Sequence, residues 1–206
     1  MTRQEQFPLF PLALVALPGE EIPLHIFEQR YRTMINECID EDREFGIVWL
    51  ADDELKLVGC ACTVDRVLER LEDGRFSVIA RANRPFRLLA RDDALAYPAG
   101  TIEFIEDGNE ERDESAAEAA RASYAALVVA ATDEDPDPDA LATMTSYAMA
   151  ATVEFGLEAK QRLLELRSEN ARLRLLTRLL RAAIRRLDFV DRAQARARSN
   201  GKVRFG

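Results

Sequence analysis

The residues that could carry acid–base chemistry are concentrated near the start of the chain. His25 is the only histidine, and histidine is the side-chain type that changes charge near neutral pH. Glu28, Arg30 and Arg32 follow it and could act as an acid with two anion-binding groups, but general acid–base catalysis needs a partner group that this sequence does not identify. We therefore expect ion pairs that hold a helix to a sheet. For His25 we expect a hydrogen bond that fixes its strand, with a polar contact in a binding groove as the alternative.

The other reactive side chains form no catalytic or metal-binding pattern. Cys60 and Cys62 are two residues apart in a strand-like segment, so they share one face and resemble small buried apolar residues. With Cys38 and His25 they could make a zinc site only in a rare geometry, so we expect no metal. The sequence contains no GxxxxGK[ST] phosphate loop, and its three lysines lie in no context that would activate a nucleophile. We expect neither a cofactor nor an enzyme.

The elements that position these residues begin with a proline-rich, apolar opening. Residues 7–17 form a strand-like run, a Pro-Gly turn follows, and residues 22–26 form a second extended run that contains the histidine. Prolines in both runs remove hydrogen-bond donors, which favours edge or bent strands. Apolar residues then recur at helical spacing, which predicts an amphipathic helix from Phe27 with one apolar face: Phe27, Tyr31, Met34, Ile35 and Cys38.

The remainder of the first half predicts further strands. Alternating or continuous apolar runs cover 43–50, 55–71, 75–79, 86–89 and 97–105. Gly74 supplies the positive φ that a tight hairpin turn needs, and Pro85 is expected to break the strand that returns from this turn. Several short strands with one helix indicate a small, curled, mostly antiparallel sheet or barrel.

The second half predicts helices. Ser115 and Glu118 fit a capping box that would open a helix to about residue 131. Asp137 before a proline predicts the start of a helix over 138–155, and Gly156 its end. A shorter helix over 158–166 and a long final helix follow, the last with an apolar stripe: Leu173, Leu176, Leu180, Ile184 and Leu187. The chain should therefore divide into lobes at 1–107 and 108–206.

Five segments also carry a family resemblance. They read PLFPL…LPG…PLHIFEQRYRTMI in the opening, FGIV at 45–48, VGCACTVDRV at 58–67, DGRFSVIARANRPFRL at 73–88 and EAKQRLLELRSENARLRLL at 158–176. Together they resemble the N-terminal substrate-binding domain of the Lon family of ATP-dependent proteases. The resemblance implies an α+β fold, with a PUA-like curled sheet or barrel that contains one helix, followed by a helical bundle that ends in a long helix.

The resemblance and the absent catalytic motifs together lead to our first functional hypothesis. It is a non-enzymatic module that binds exposed hydrophobic segments of unfolded, client or partner proteins, with a link to ATP-dependent proteolysis and to a Lon-type protease. The expected contact surface is an apolar patch in the opening stretch: Pro23, Leu24, His25, Phe27 and Tyr31. A homodimer is left open.

The charge distribution provides the alternative. The chain carries a net charge of −9, yet its last forty residues hold eleven Arg and one Lys against three acidic residues. This basic helix could pair with the acidic body or bind a polyanion such as RNA, as some PUA-like folds do. The acidic balance disfavours nucleic acid. No apolar run approaches the roughly 20 residues of a membrane span, and the opening does not resemble a signal peptide, so we expect a cytoplasmic protein.

Overall fold

The computed structural model describes residues 2–92 and 94–200, without the side chains of residue 188 and residues 190–200. The described part of the chain combines a sheet with several helices, which confirms the predicted α+β class. In chain order the elements are β1 Arg3–Leu12, β2 Glu21–Ile26, α1 Gln29–Asp40, β3 Phe45–Ala51, β4 Glu54–Leu55, β5 Val58–Arg70, β6 Phe76–Asp92, β7 Ala99–Phe104, α2 Glu114–Thr132, α3 Pro138–Thr143, α4 Ser146–Ala151, α5 Leu157–Glu165 and α6 Glu169–Asn200.

Strands β1, β7, β6, β5 and β3 form a closed barrel. Neighbouring strands in this order pair antiparallel, and a parallel pairing between β3 and β1 closes the ring. The expected curled sheet or barrel is therefore confirmed. Its interior is filled by apolar side chains, with the rings of Phe7 and Phe86 packed edge to face at 5.4 Å. The other members of this core are Leu9, Val48, Ala61, Leu88, Ile102 and Phe104.

The opening strand differs from the prediction in one respect. β1 pairs with β7 on one side and β3 on the other, so of the two predicted alternatives, an edge strand or a bent one, the edge strand is wrong. It is bent instead: the register shifts between Gln4 and Phe7, and Gln6 adopts a φ of 50°. β2 is an edge strand, since within the described residues it pairs with β6 alone.

The prediction that Pro85 interrupts a strand is wrong. β6 continues from Phe76 to Asp92 because the β5–β6 pairing shifts register between Ala61 and Cys62, close to the proline. A register shift allows a residue without an N–H to remain in the sheet. The Pro85 carbonyl still accepts a hydrogen bond from the Ile105 N–H at 2.9 Å.

Close packing of the barrel requires a glycine in β5. A Cβ atom added to Gly59 would lie 2.5 Å from the Ile47 carbonyl oxygen and 2.8 Å from the Phe86 ring. Backbone cannot move away as easily as the end of a flexible side chain, so a larger residue would force the strands apart.

The chain divides into two compact units. A barrel unit contains Met1–Glu110 with Tyr147–Ser168, and a helical unit contains Glu111–Ser146 with Glu169–Gly206. Residues 147–168, predicted in the second lobe, thus group with the barrel. The reason is that α5 packs on β5, where the Gln161 side-chain amide donates to the Val58 carbonyl at 3.1 Å. That 1–107 and 108–206 form separate lobes stays a prediction.

The first helix of the helical unit begins two residues earlier than predicted. Its capping residue is Asp113, whose carboxylate accepts from the Ala116 N–H at 3.1 Å, so the capping box at Ser115 is wrong. Hydrogen bonds from Ser115, Arg174 and the Ala116 N–H lower the pKa of the Asp113 carboxyl to about 2. Aspartate reaches this N–H from outside the first turn, whereas Ser115 already lies within the helix.

The helix predicted over 138–155 is also wrong. Two short helices replace it, and α3 begins as predicted with Asp137 accepting from the Asp139 N–H at 3.0 Å. The second begins at Ser146, whose N–H donates to the Glu169 carboxylate at 2.8 Å. Gly156 has the expected positive φ of 84°, but it precedes α5 and does not end a helix.

Candidate functional site

A groove of about 520 Å³ lies beside β2 and the start of α1 in the barrel unit. All five residues predicted as a contact surface line it, so residues chosen from the opening stretch share one concave surface. We name this feature the β2–α1 groove. Its lining consists of Phe10, Pro11, Leu12, Leu14, Pro23, Leu24, His25, Ile26, Phe27, Glu28, Arg30, Tyr31, Leu50, Asp53, Leu55, Arg91 and Pro98.

Strand β2 presents its residues to the groove in two ways. It pairs with β6 in antiparallel register, with Leu24 opposite Val78, and its side chains alternate between exposed and buried. Pro23 and His25 are exposed, whereas Leu24 is 7% exposed. Leu24 therefore contributes to the floor of the groove and the other two to its rim.

Phe27 is the most exposed aromatic side chain of the groove. The prediction placed it on the buried face of the helix, which is wrong because α1 begins two residues later, at Gln29. Its side chain is 58% exposed and its ring lies nearly parallel to that of His25, with 6.2 Å between the centroids. An exposed ring in a groove is a typical protein-contact feature.

Tyr31 connects the helix to the floor of the groove. Its ring packs against that of Phe10 at 4.3 Å between centroids, and it is only 7% exposed. Burial raises the pKa of the Tyr31 hydroxyl. The Arg30 guanidinium lies 4.6 Å from the centre of the same ring, a cation–π contact. The floor is therefore aromatic, with a positive charge above it.

The charged residues around α1 behave differently from the prediction. Glu28 and Arg30 form an ion pair at 2.9 Å, but both belong to the same short segment, so this pair does not hold the helix to the sheet. Arg32 makes the contact with the sheet. Its guanidinium lies so close to Gly74 that a Cβ atom added to this glycine would be 1.8 Å away from it. The guanidinium thus packs on the turn between β5 and β6, where only glycine leaves room.

His25 makes the strand-fixing contact that the sequence predicted. Its Nδ1 lies 3.0 Å from the hydroxyl oxygen of Ser77 on β6. The two residues are directly opposite each other in the pairing of β2 with β6. The imidazole also lines the groove. The two interpretations of His25 are therefore compatible, since one ring nitrogen contacts the neighbouring strand while the ring faces the groove.

The cysteines are inert in this arrangement. Cys38, Cys60 and Cys62 are buried and unpaired, and burial raises the pKa of the Cys38 thiol to about 11. Among the described residues, no three His, Cys, Asp or Glu side chains lie where they could hold a metal ion. Within the same part of the chain, no helix is both long and apolar enough to cross a membrane.

Sequence reasoning missed the far wall of the groove. Leu50 lies in β3, Asp53 in the turn that follows it and Leu55 in β4, and Arg91 comes from the end of β6. They meet β2 only through strand pairing between distant segments, so no local pattern marks them. The positive φ of Asp53, 66°, is a structural outlier at this wall that no sequence motif indicated.

Comparison with known proteins identifies the family. The model of the ATP-dependent protease La (LON) substrate-binding domain matches residues 6–182. The chain belongs to this family. The resemblance inferred from the sequence is thus confirmed, and the β2–α1 groove is a feature of a Lon substrate-binding domain.

Relatives of known sequence or structure agree with this assignment. Lon protease 1 of Hydrogenovibrio crunogenus is 26% identical over 92% of this chain, and the chain spans 26% of the length of that protein. The crystal structure of a Lon N-terminal domain protein from Xanthomonas campestris superposes with a TM-score of 0.64 at 23% identity, covering 85% of this chain and 97% of the other. The N-terminal domain of a Mycobacterium avium complex Lon protease gives 0.61 at 20% identity, with coverages of 85% and 98%. The two structures support the fold.

Proposed function

We propose that this chain is a non-catalytic module that binds exposed hydrophobic segments of unfolded or partner proteins in the β2–α1 groove. The observation that carries the proposal is Phe27, whose ring is 58% exposed beside an apolar floor in an open groove. Soluble domains rarely leave large apolar surfaces uncovered, and those they do leave often bind partners. Membership of the Lon substrate-binding domain family supports a substrate-binding role for the same chain.

The lining of the groove favours an apolar segment over a small polar ligand. Phe10 and Tyr31 form an aromatic floor, and Leu24 extends it along β2. Removing apolar surface from water contributes roughly 25 cal/mol per Å². Polar groups lie at the rim, where they would fix the orientation of a bound segment at little desolvation cost.

The edge of β2 favours an extended segment but limits strand addition. An exposed sheet edge can accept a further strand through backbone hydrogen bonds. Proline in a strand is tolerated where its nitrogen faces away from the paired strand, so Pro23 leaves the free edge of β2 without one donor. Side-chain contacts with the aromatic floor should therefore provide more of the affinity than the backbone does.

The proposed link to ATP-dependent proteolysis rests on the relatives. Lon protease 1 of Hydrogenovibrio crunogenus is similar to this chain over about a quarter of its own length. We infer that the groove either delivers client segments to a Lon-type protease or competes with such a protease for them. The chain itself would supply recognition and not catalysis.

The test compares two exposed apolar residues of the barrel unit. Phe27 lines the groove, whereas Leu68, which is 55% exposed on β5, does not. The proteins are titrated with a fluorescently labelled, reduced and carboxymethylated globular protein that stays unfolded. We expect Phe27→Ser to weaken binding by about tenfold or more, as at an interface hot spot. Leu68→Ser should bind like the parent, and an equal loss in both variants, or no binding by the parent, would contradict the proposal.

One observation favours a second candidate, binding of RNA or another polyanion by α6. Two arginines of this helix are paired, Arg172 with Glu169 at 2.8 Å and Arg174 with Asp113. Four more are exposed and form no ion pair with any residue that the structure describes: Arg178, Arg181, Arg185 and Arg186. Binding through these residues would weaken steeply as salt concentration rises, which a gel-shift titration with single-stranded RNA measures.

A further inference from the structure

Two arginines lie where the β2–α1 groove adjoins a second cavity. This smaller cavity has a volume of about 270 Å³ and lies on the same barrel unit. Arg30 and Arg91 line both spaces, together with Pro11, Leu55 and Pro98. The wall shared by the two cavities is therefore apolar apart from two guanidinium groups.

The two guanidinium groups differ in their partners. Arg30 is neutralised by Glu28 at 2.9 Å and stacked on Tyr31. Arg91 is exposed and forms no ion pair with any described residue. The remaining charged residue of the lining, Asp53, borders the groove but not the smaller cavity. Arg91 thus provides positive charge without a partner at the junction.

Apolar side chains lie on both sides of this junction, but the open surface of the smaller cavity is more polar than apolar. The groove offers the aromatic floor described above, and the smaller cavity is lined by Leu9, Leu95 and Ala96, with Tyr97 beside them. An extended segment that occupied both spaces would place apolar side chains in each of them. A group of opposite charge between those side chains would meet Arg91.

From this arrangement we propose that the bound segment carries an acidic side chain flanked by apolar residues, with its carboxylate held by Arg91 beside Arg30. Arginine suits this role because its planar guanidinium donates two parallel hydrogen bonds to one carboxylate. A side chain fits better than a free C-terminus, since the smaller cavity continues beyond the arginines and leaves space for the chain to continue. This inference rests on the proposed function and specifies its substrate class.

The test uses a short labelled peptide with one central Glu between Leu and Phe residues, and a matched peptide with Gln in its place. Fluorescence anisotropy measures both against the parent protein, Arg91→Gln and the control Arg87→Gln. Arg87 is also exposed on β6 but lines neither cavity. We expect the parent to prefer the Glu peptide by on the order of tenfold, the ratio typical of one charge-assisted hydrogen-bonded contact.

The outcomes separate the inference from the function on which it depends. Arg91→Gln should abolish the preference, Arg87→Gln should keep it, and added salt should reduce it in the parent. Equal affinity for both peptides would overturn the inference and leave the proposed function standing. Binding of neither peptide would overturn both. Loss of binding on amidation of the peptide C-terminus would show that the arginines bind a chain terminus instead, and would also overturn the inference.

Discussion

Two sides of the barrel unit use their polar residues in opposite ways. On the α5 side, Lys160 donates to Glu20 at 2.6 Å, and their side chains are only 13% and 11% exposed. On the groove side, the side chains of the Glu28–Arg30 ion pair are about half exposed and that of Phe27 is 58% exposed. The two sides are close in the sequence, because Glu20 directly precedes β2.

This difference separates structural residues from binding residues. A buried ion pair that is satisfied on both sides, such as that of Lys160, holds elements together and is costly to break. An exposed ring contributes little to the stability of the folded state and is available to a binding partner. Substitutions on the α5 side should therefore lower stability without affecting binding, and those in the groove should do the reverse.

The largest expected effect is on the α5 side. Lys160→Met removes the cationic partner of the largely buried Glu20 carboxylate, to which the Leu17 N–H still donates. We expect the free energy of unfolding to fall by about 3 kcal/mol, the cost of leaving a buried charge unpaired. Urea titration followed by fluorescence of Trp49, the only tryptophan, reports on the barrel unit. The double variant with Glu20→Gln should recover part of this loss, and a loss below about 1 kcal/mol would place the pair among weak surface contacts.

The next effect concerns Tyr97, which borders the smaller cavity. Its hydroxyl donates to Glu37 on α1, and burial together with this hydrogen bond raises its pKa to about 12. An unfolded tyrosine ionises near pH 10. The stabilisation is therefore complete below about pH 10 and is lost as the pH rises towards 12.

Tyr97→Phe should remove this contribution. We expect a loss of about 1 kcal/mol at neutral pH, from one hydrogen bond, and a flatter decline of stability above pH 10. Cys38, whose pKa burial raises to about 11, titrates in the same range, so the difference between the parent and this variant isolates the tyrosine. An unchanged alkaline profile would show that the tyrosine does not contribute to it.

Phe27→Ser tests the groove side of this comparison. The ring is mostly exposed, so the free energy of unfolding should change by no more than about 0.5 kcal/mol, while affinity for an unfolded protein falls. Lys160→Met should give the reverse pattern when it is measured well below its unfolding midpoint. If either variant loses stability and binding together, the two sides are not distinct.

The smallest effect distinguishes the two roles of His25. Ser77→Ala removes the partner of its Nδ1 but leaves the imidazole in the groove. We expect a destabilisation below about 1 kcal/mol, since the hydrogen bond is exposed, and unchanged affinity for an unfolded protein. A clear loss of affinity would indicate that binding depends on the orientation of the imidazole that Ser77 fixes.

Local patterns predicted much of the fold. The buried face of α1, with Tyr31 and Met34, follows from helical spacing, and the turn at Gly74 and the cap at Asp137 follow from residue type. The errors occur where tertiary contacts decide. Glu169, which is distant in sequence, provides the carboxylate that binds the first N–H of α4, and no local signal predicts the short helices around it.

The candidate site was predictable only on one of its walls. Pro23 to Tyr31 are contiguous, so a single unusual stretch indicated them. Phe27 was assigned to the wrong environment because helix starts are hard to locate to within two residues. Asp53 and Arg91 reach the groove through the closure of the barrel, and a register determined by distant strands leaves no mark in their own neighbourhood.

The most direct test of the central claim is site-specific photo-crosslinking. A photoreactive phenylalanine derivative is placed at Phe27 in one protein and at Leu68 in another, since both positions are exposed and only the first lines the groove. Each protein is irradiated with the same unfolded, labelled client. If the groove is the binding surface, position 27 should crosslink strongly to the client, and an excess of unlabelled client should abolish this signal. Position 68 should give only background crosslinking. Equal crosslinking from both positions, or none from position 27 when the client is bound, would contradict it.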